Sequence, residues 1–377
     1  MGPLQGVKVV EIAGIGPGPF CAMMLADMGA DIVRVERRGA PMAGNPNDFL
    51  NRGRRSIAVD LKQPDGVETV LRLVEKADAL QEGFRPGVME RLGLGPDDCL
   101  ARNPALVYGR MTGWGQDGPW AQMAGHDMNY ISINGVLHSF GQKGLPPQPP
   151  CNAVGDFGGG GMLLAFGIAC GIIESRTSGK GQVVDAAMVD GSAVLMTMVY
   201  ALRQMGLWTD ERGTNMLDTG AHFYDVYETA DGEYMSVGSI EPQFYAKMLE
   251  ITGIDPAELP GQMDKGRWDE ARAKIAAAIK TRSRDEWAAL AEGTDACMAP
   301  ILSIPEAFEH PHVKARETFV DFEGVTQPAP APRFSRTKEQ IQRRAASLGE
   351  HTDEVLADWI GADESEVARL RDAGAVS

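Results

Sequence analysis

Two neighbours in the segment AGHDMNYIS, residues 124 to 132, can each do chemistry near neutral pH. His126 carries a side chain that takes or gives a proton in that range. Asp127 carries a carboxylate that can attack a carbonyl carbon. The first property suits a proton-transfer enzyme and the second an acyl-transfer enzyme. The dipeptide alone leaves both open. The remaining histidines, 138, 222, 310, 312 and 351, lack a comparable setting, and the HPH run at 310 to 312 reads as a loop. No metal site and no cofactor are expected.

A second group of candidates is basic. DIVRVE is followed by Arg37 and Arg38, SIAVDLK ends in Lys62, and EGFRPGVMERLG offers Arg85 and Arg91 across a Pro-Gly turn. A guanidinium fork makes paired hydrogen bonds to phosphate oxygens. Each cation alone reads as a solvated charge. Together, at successive strand ends of one sheet, they make a phosphate cradle. Glycines 14, 16 and 18 lie between a strand and a helix, with Glu36 ending the next strand, which resembles a dinucleotide fingerprint. The third glycine of that fingerprint is missing, and Pro17 and Pro19 remove amide donors that a pyrophosphate needs. The loop reads instead as a tight strand-to-helix turn.

These groups need elements to position them. VKVVEI, DIVRVE, ALQEGF and ALVYGRM read as strands, and FCAMMLADMG and DGVETVLRLVEKA as helices between them. Strands alternating with helices imply an α/β fold with a parallel sheet, whose ligands sit beyond the C-terminal strand ends. The proline-rich GLPPQPPCNAVG is a connector. QVVDAAMVDGSAVLMTMVYALRQMG starts as a strand and continues as a helix. Its Leu195, Met198, Leu202 and Met205 share a helical face, read as core packing. From about 221 the texture changes to two strands joined at Ala230-Asp231-Gly232, followed by charged amphipathic helices. The predicted division is a large domain over 1–200 with a return over about 325–377, a small α+β domain over 221–320, and linkers at 201–220 and about 320–330.

With 377 residues, 44% hydrophobic and 23% charged, the chain can build sizeable cores. Its formal charge of −16, from 36 basic and 52 acidic residues, argues against a nucleic-acid partner. RGRRS at 52 to 56 reads as a short, isolated basic patch. Five scattered cysteines, at 21, 99, 151, 170 and 297, read as free thiols in a reducing, cytoplasmic setting. The apolar run MLLAFGIACGII is too short to span a bilayer, no charged-then-apolar secretory leader is expected at the N-terminus, and MGPLQG lacks the serine or threonine of a myristoylation site.

Several ordered segments together resemble the family III coenzyme A transferases, and within them the acyl-CoA racemases. They are EIAGIGPGPFCAMMLADMGADIVRVER, RRSIAVDLK, EGFRPGVMERLGLG, GRMTGWGQDGP, AGHDMNYIS, VGDFGGGGM, GKGQVVDAAMVDGS and GSIEPQFY. The resemblance implies an interlocked homodimer of subunits with a large Rossmann-like domain and a small domain, with active sites between domains of different subunits. It implies coenzyme A, as part of the substrate, held near Arg38, Val59, Asp60, Leu61 and Lys62. Gly83, Phe84, Arg85 and Arg91 would continue that surface, and Gly125, Met128, Asn129 and Tyr130 would complete it.

The same resemblance assigns chemistry. Transferases of the family attack a thioester with an aspartate, which Asp127 matches. Racemases remove the α-proton of a 2-methylacyl thioester and return it on the other face, through an enolate. His126 matches their histidine, Asp156 their carboxylic acid and Glu241 the acid that hydrogen-bonds the histidine. Burial is expected to raise the pKa of Asp156. Glycines 158 to 161 are read as letting the thioester approach Asp156, and the Asp127 amide as a donor to the thioester oxygen. The alternatives are an Asp127-dependent transferase, a nicotinamide-dependent oxidoreductase built on the first glycine loop, and a coenzyme A binder without catalysis.

Overall fold

Six strands form a parallel sheet: β1 (Lys8–Ile12), β2 (Asp31–Glu36), β3 (Arg54–Ala58), β4 (Ala79–Glu82), β5 (Val107–Thr112) and β6 (Gln182–Ala187). The computed structural model describes residues 2–37, 45 and 47–377. The strand order is β3-β2-β1-β4-β5-β6, and every pairing is parallel. The order reverses between β1 and β4, which opens a crevice beyond their C-terminal ends. Side chains alternate between faces along each strand. Val10, Val33 and Ile57 pack with the helix Pro64–Val74 and with Val355, Leu356 and Trp359 of the helix Thr352–Ile360. Val9, Ile32 and Val107 pack on the opposite face with the helices Pro17–Asp27 and Leu163–Ser178.

The chain packs as two units. One comprises the described residues of Met1–Asn134, Cys151–Leu195 and Lys314–Ser377, and the other Gly135–Pro150 and Met196–Val313. The segment 135–150, placed with the large domain from the sequence, groups with the second unit.

RGRRS is not a surface patch. Arg52 and Arg54 are almost fully buried, at 2% and 0% exposure. Arg54 donates through Nε to Glu11 Oε2 at 3.1 Å, on the central strand. Arg52 clamps Asp27 with Nε–Oδ1 at 3.1 Å and Nη2–Oδ2 at 2.6 Å, and reaches Gln327 Oε1 at 2.8 Å. Gln327 lies on β11 (Val325–Pro328), which pairs with β10 (Phe319–Phe322). Removing one partner of a buried pair leaves the other charge uncompensated, at a cost of about 3–5 kcal/mol. Arg52→Ala should therefore lower the unfolding free energy by about that amount in urea titration. Replacing Arg52 and Asp27 together with apolar residues should restore most of it.

The helical run Ala153–Ser178 is 26 residues long and, by length and composition alone, apolar enough to cross a membrane. In the fold, Leu164 and Ile168 of this run seat it on β5. All five cysteines are free thiols.

In the second unit, β7 (Tyr224–Glu228), β8 (Tyr234–Gly238) and β9 (Met298–Pro300) form an antiparallel sheet. The β7–β8 turn falls where Ala230-Asp231-Gly232 was predicted to make it. The expected methionine-rich core stripe fails. The helix breaks at Met196 into Met188–Leu195 and Thr197–Gln204, and Leu195, Met198 and Met205 are 49%, 55% and 61% exposed. The HPH pair is not purely loop: His310 caps the helix Ile304–Glu309 and His312 lies within Pro311–Ala315.

His222 is fully buried, with Nε2 at 2.9 Å from the Tyr245 hydroxyl and Nδ1 without a hydrogen bond among the described residues. Burial, helped by the nearby positive Arg272, lowers its pKa to about 4. Its unfolded value is near 6.5, so the unfolded chain binds the extra proton between those limits. Stability from this residue is complete above pH 6.5 and is lost as the pH falls toward 4, reaching about 3 kcal/mol. His222→Gln should flatten that segment of the pH–stability profile, measured by denaturant titration at successive pH values.

Candidate active site

Beyond the C-terminal ends of β1, β4 and β5 lies a cavity of about 560 Å³. The loop after β1 contributes Gly14 to Gly18, and the loop after β4 contributes Gly83, Phe84, Arg85 and Pro86. The end of β5 and the segment after it contribute Met111 to Trp114, Ala121, and Met123 to His126. Asp156 closes the ring.

The glycine loop is a packed turn. Gly16 has φ of 66°, in the left-handed region, and the helix Pro17–Asp27 follows with Pro17 in its first turn. Carbonyls of the loop and of the first helical turn are occupied by side chains: Gly14 O by Arg34 Nη2 at 3.3 Å, Gly18 O by Gln81 Nε2 at 2.9 Å and Pro19 O by Arg54. A Cβ at Gly16 would stand 3.4 Å from Asp156 Oδ2, an ordinary contact, so the left-handed φ rather than crowding by the acid favours glycine there.

His126 and Asp127 point to different places because a helix begins between them. His126 is the N-cap of the helix Asp127–Ile133, with extended backbone, and its own N–H donates to Asn129 Oδ1 at 3.0 Å. Its side chain is exposed and lines the cavity. Asp127, the first helical residue, is 5% exposed and is not among the residues lining the cavity. Its Oδ2 accepts from the Asp156 main-chain N–H at 2.7 Å, and Oδ1 has no hydrogen bond among the described residues. Tyr130, one turn on, donates its hydroxyl to Gly125 O and sets its ring edge-on to Trp114 at 4.7 Å. That packing holds the backbone just ahead of His126.

Asp156 sits in Ala153–Met162, a stretch wound with i→i+5 hydrogen bonds, as between Phe157 N and Asn152 O at 3.3 Å. Such windings cluster at functional sites. Phe157 anchors it by stacking on Phe20, with centroids 4.6 Å apart. Asp156 is half-buried, and burial pushes its carboxyl above the usual range. The nearby Asp127 adds to this, while the Asn152 amide, donating to Oδ2 at 3.3 Å, and His126 oppose it. Asn152 was missed from the sequence, although an amide four residues before an acid in a helical run is a readable signal.

The glycines after Asp156 serve packing rather than substrate approach. A Cβ at Gly159 would meet the Ser192 backbone at 2.5 Å, and one at Gly161 would meet Pro17 O at 2.5 Å. The run lets two helices close on the segment.

Of the other expected contacts, Gly83, Phe84, Arg85, Gly125 and Tyr130 line the cavity. Phe84 N–H donates to Glu82 Oε2 at 2.7 Å, and burial raises Glu82 to about 7 against the pull of that bond and of Arg110. Val59, Asp60, Leu61 and Lys62 follow β3 and do not line it. The Val59 side chain is buried, Asp60 N–H donates to Ala375 O at 2.9 Å, and Lys62 is exposed. Arg91 ends the helix Val88–Arg91, exposed, and Met128 and Asn129 are exposed on the helix after His126. Arg38 lies outside the described residues. Glu241 belongs to the second unit, where it is the N-cap of the helix Pro242–Thr252 and makes no side-chain capping bond. Among the described residues, no group of three or more histidine, cysteine or acidic side chains is placed to hold a metal.

The family model for CoA-transferase family III matches residues 4–352. The chain is 47% identical over 369 residues to alpha-methylacyl-CoA racemase of Mus musculus, covering 97% of this chain and 96% of that protein. It is 44% identical over 369 residues to alpha-methylacyl-CoA racemase of Homo sapiens, with the same coverage. Among solved structures, a CAIB/BAIF family protein from Brucella suis superposes with a TM-score of 0.81 at 28% identity, covering 95% of this chain and 99% of that one.

Proposed function

The chain belongs to CoA-transferase family III, and from that premise we propose that it interconverts the (2R) and (2S) forms of 2-methylacyl-CoA thioesters. It is an isomerase. One group removes the C2 proton, the electron pair passes onto the thioester as an enolate, and a group on the opposite face returns a proton to C2. His126 and Asp156 are the two groups, exchanging roles with direction. The raised pKa of Asp156 suits a carboxyl that must hold a proton in half of the cycle.

One observation carries this reading over acyl transfer. His126 and Asp156 both face the cavity, whereas the Asp127 carboxylate is buried behind it and bonded to the Asp156 amide. A nucleophile has to reach the thioester carbon. The Asp127 main-chain amide, in the first turn of its helix, is the proposed donor to the enolate oxygen. Coenzyme A is proposed to enter over Gly83, Phe84 and Arg85, with Lys62, Arg91 and Arg38 at its phosphates. Glu241 is proposed to hydrogen-bond His126 in an interlocked homodimer, where units of different subunits meet. The substrate supplies the coenzyme A, and no further cofactor enters this scheme.

Incubation of each enantiomer in deuterated buffer, followed by chiral analysis, tests it. Deuterium at C2 and inversion are expected from either enantiomer. Absence of both, together with an aspartyl thioester trapped by hydroxylamine, would make the protein a transferase.

A further inference from the structure

The racemase reading uses the main-chain amide of Asp127 and leaves its side chain idle. We propose that Asp127 is a positioning residue whose buried carboxylate holds Asp156 at the cavity, and so serves proton transfer on one face of the substrate only. The inference rests on the two-base reading above. Three features of the structure carry it.

First, the Asp127 Oδ2 to Asp156 N–H bond, at 2.7 Å, ties the acid's own backbone to a different element. Asp156 lies in the first turn of its wound stretch, where amides lack carbonyl partners within the stretch. A charged acceptor satisfies that amide more strongly than a neutral one. Second, the backbone is shaped around the carboxylate. A Cβ at Gly155 would lie 2.5 Å from Asp127 Oδ2 and 3.2 Å from the Ile131 side chain. Third, the carboxylate has no route to substrate, being 5% exposed. Its role is exerted through Asp156.

Selectivity for one face follows. The enantiomer whose C2 proton faces His126 can lose it to His126 and regain a solvent deuteron on the same side. Asp156 is not needed for that exchange. The opposite enantiomer needs Asp156 for its first step. A donor to the enolate oxygen, by contrast, serves both enantiomers equally.

The test is C2 deuterium exchange of each 2-methylacyl-CoA enantiomer, followed by NMR in deuterated buffer. In Asp127→Ala, exchange of the enantiomer facing Asp156 should fall about 10²-fold, the scale of a displaced catalytic group, while the other stays within a few-fold of wild type. Asp127→Asn keeps an acceptor oxygen and should recover most of the loss. Gly155→Ala crowds the same oxygen from the other side and should give the same asymmetry, independently of whether Asp127→Ala folds. Combined with Asp127→Ala, it should add little, because the atom it crowds is gone. Equal slowing of both enantiomers, no slowing of either, or fully additive losses would overturn the proposal. If the wild-type protein exchanges neither enantiomer, the racemase reading falls and this proposal with it.

Discussion

In the His126→Ala protein, inversion of both enantiomers falls by about 10²–10⁴-fold, the usual contribution of a positioned general acid or base. The loss is symmetrical for inversion because each direction uses His126 once, as base or as acid. It is not symmetrical for exchange. The enantiomer whose proton faces Asp156 should still take up deuterium slowly, since Asp156 can remove and replace a proton on its own side. The helix start that presents His126 keeps one cap contact when the imidazole is removed, from the main-chain N–H to Asn129 Oδ1. The variant should therefore fold and bind substrate with little change in KM. A large rise in KM with kcat preserved would assign His126 to binding instead.

Asp156→Asn should cost a similar factor, about 10²–10⁴ in inversion, with the mirror-image pattern of exchange. Amide and carboxyl have nearly the same shape, so the main-chain bond to Asp127 and the Phe157–Phe20 stack survive. What is lost is a transferable proton. The pH dependence follows from the direction of the Asp156 shift. Turnover in one direction requires Asp156 protonated while His126 is neutral. Burial, by raising the Asp156 carboxyl above its usual range, enlarges the share of enzyme in which Asp156 holds its proton. In this direction kcat/KM should fall on the alkaline side. Asn152→Ala removes the amide that stabilises the Asp156 anion and should move the Asp156 limb to higher pH, with activity retained. A limb that moves to lower pH would contradict the assignment of Asn152 as an opposing influence.

Legibility of the fold in the sequence followed burial chemistry. Strands β1, β2, β4 and β5 were readable because their runs are apolar. Strand β3 was not, since it opens with Arg54 and Arg55 and reads as a charged surface. Its partners, Glu11 and Asp31, are supplied by strands elsewhere in the sequence, and no local window contains them. The helix after β1 begins at Pro17, earlier than its apolar periodicity suggests, because proline suits a first turn and breaks the pattern that periodicity detects. At the site, His126 and Asp127 were visible as chemistry, and their division of labour was expected from the family resemblance but not from the dipeptide itself. That division comes from a helix boundary that turns one side chain out and the next one in. The glycines at 158 to 161 looked functional for want of knowing that Ser192 and Pro17 press against them. The methionine face at 195 to 205 looked like core because spacing reports which residues share a face and not what covers it.

The Arg52 clamp on Gln327 and the pairing of Val59 with Val376 join the start of the large unit to its end. All six strands of its sheet are complete by Ala187, yet the residues that close its flank come from beyond residue 314. During synthesis the ribosome therefore releases a sheet whose Arg52 and Asp27 have lost no water to Gln327, and whose β3 edge still lacks the helix that carries Trp359. High contact order of this kind slows the final step and leaves the nascent unit open to misassociation. Stop codons in the last few dozen codons should thus be far more damaging to soluble yield than their distance from His126 suggests.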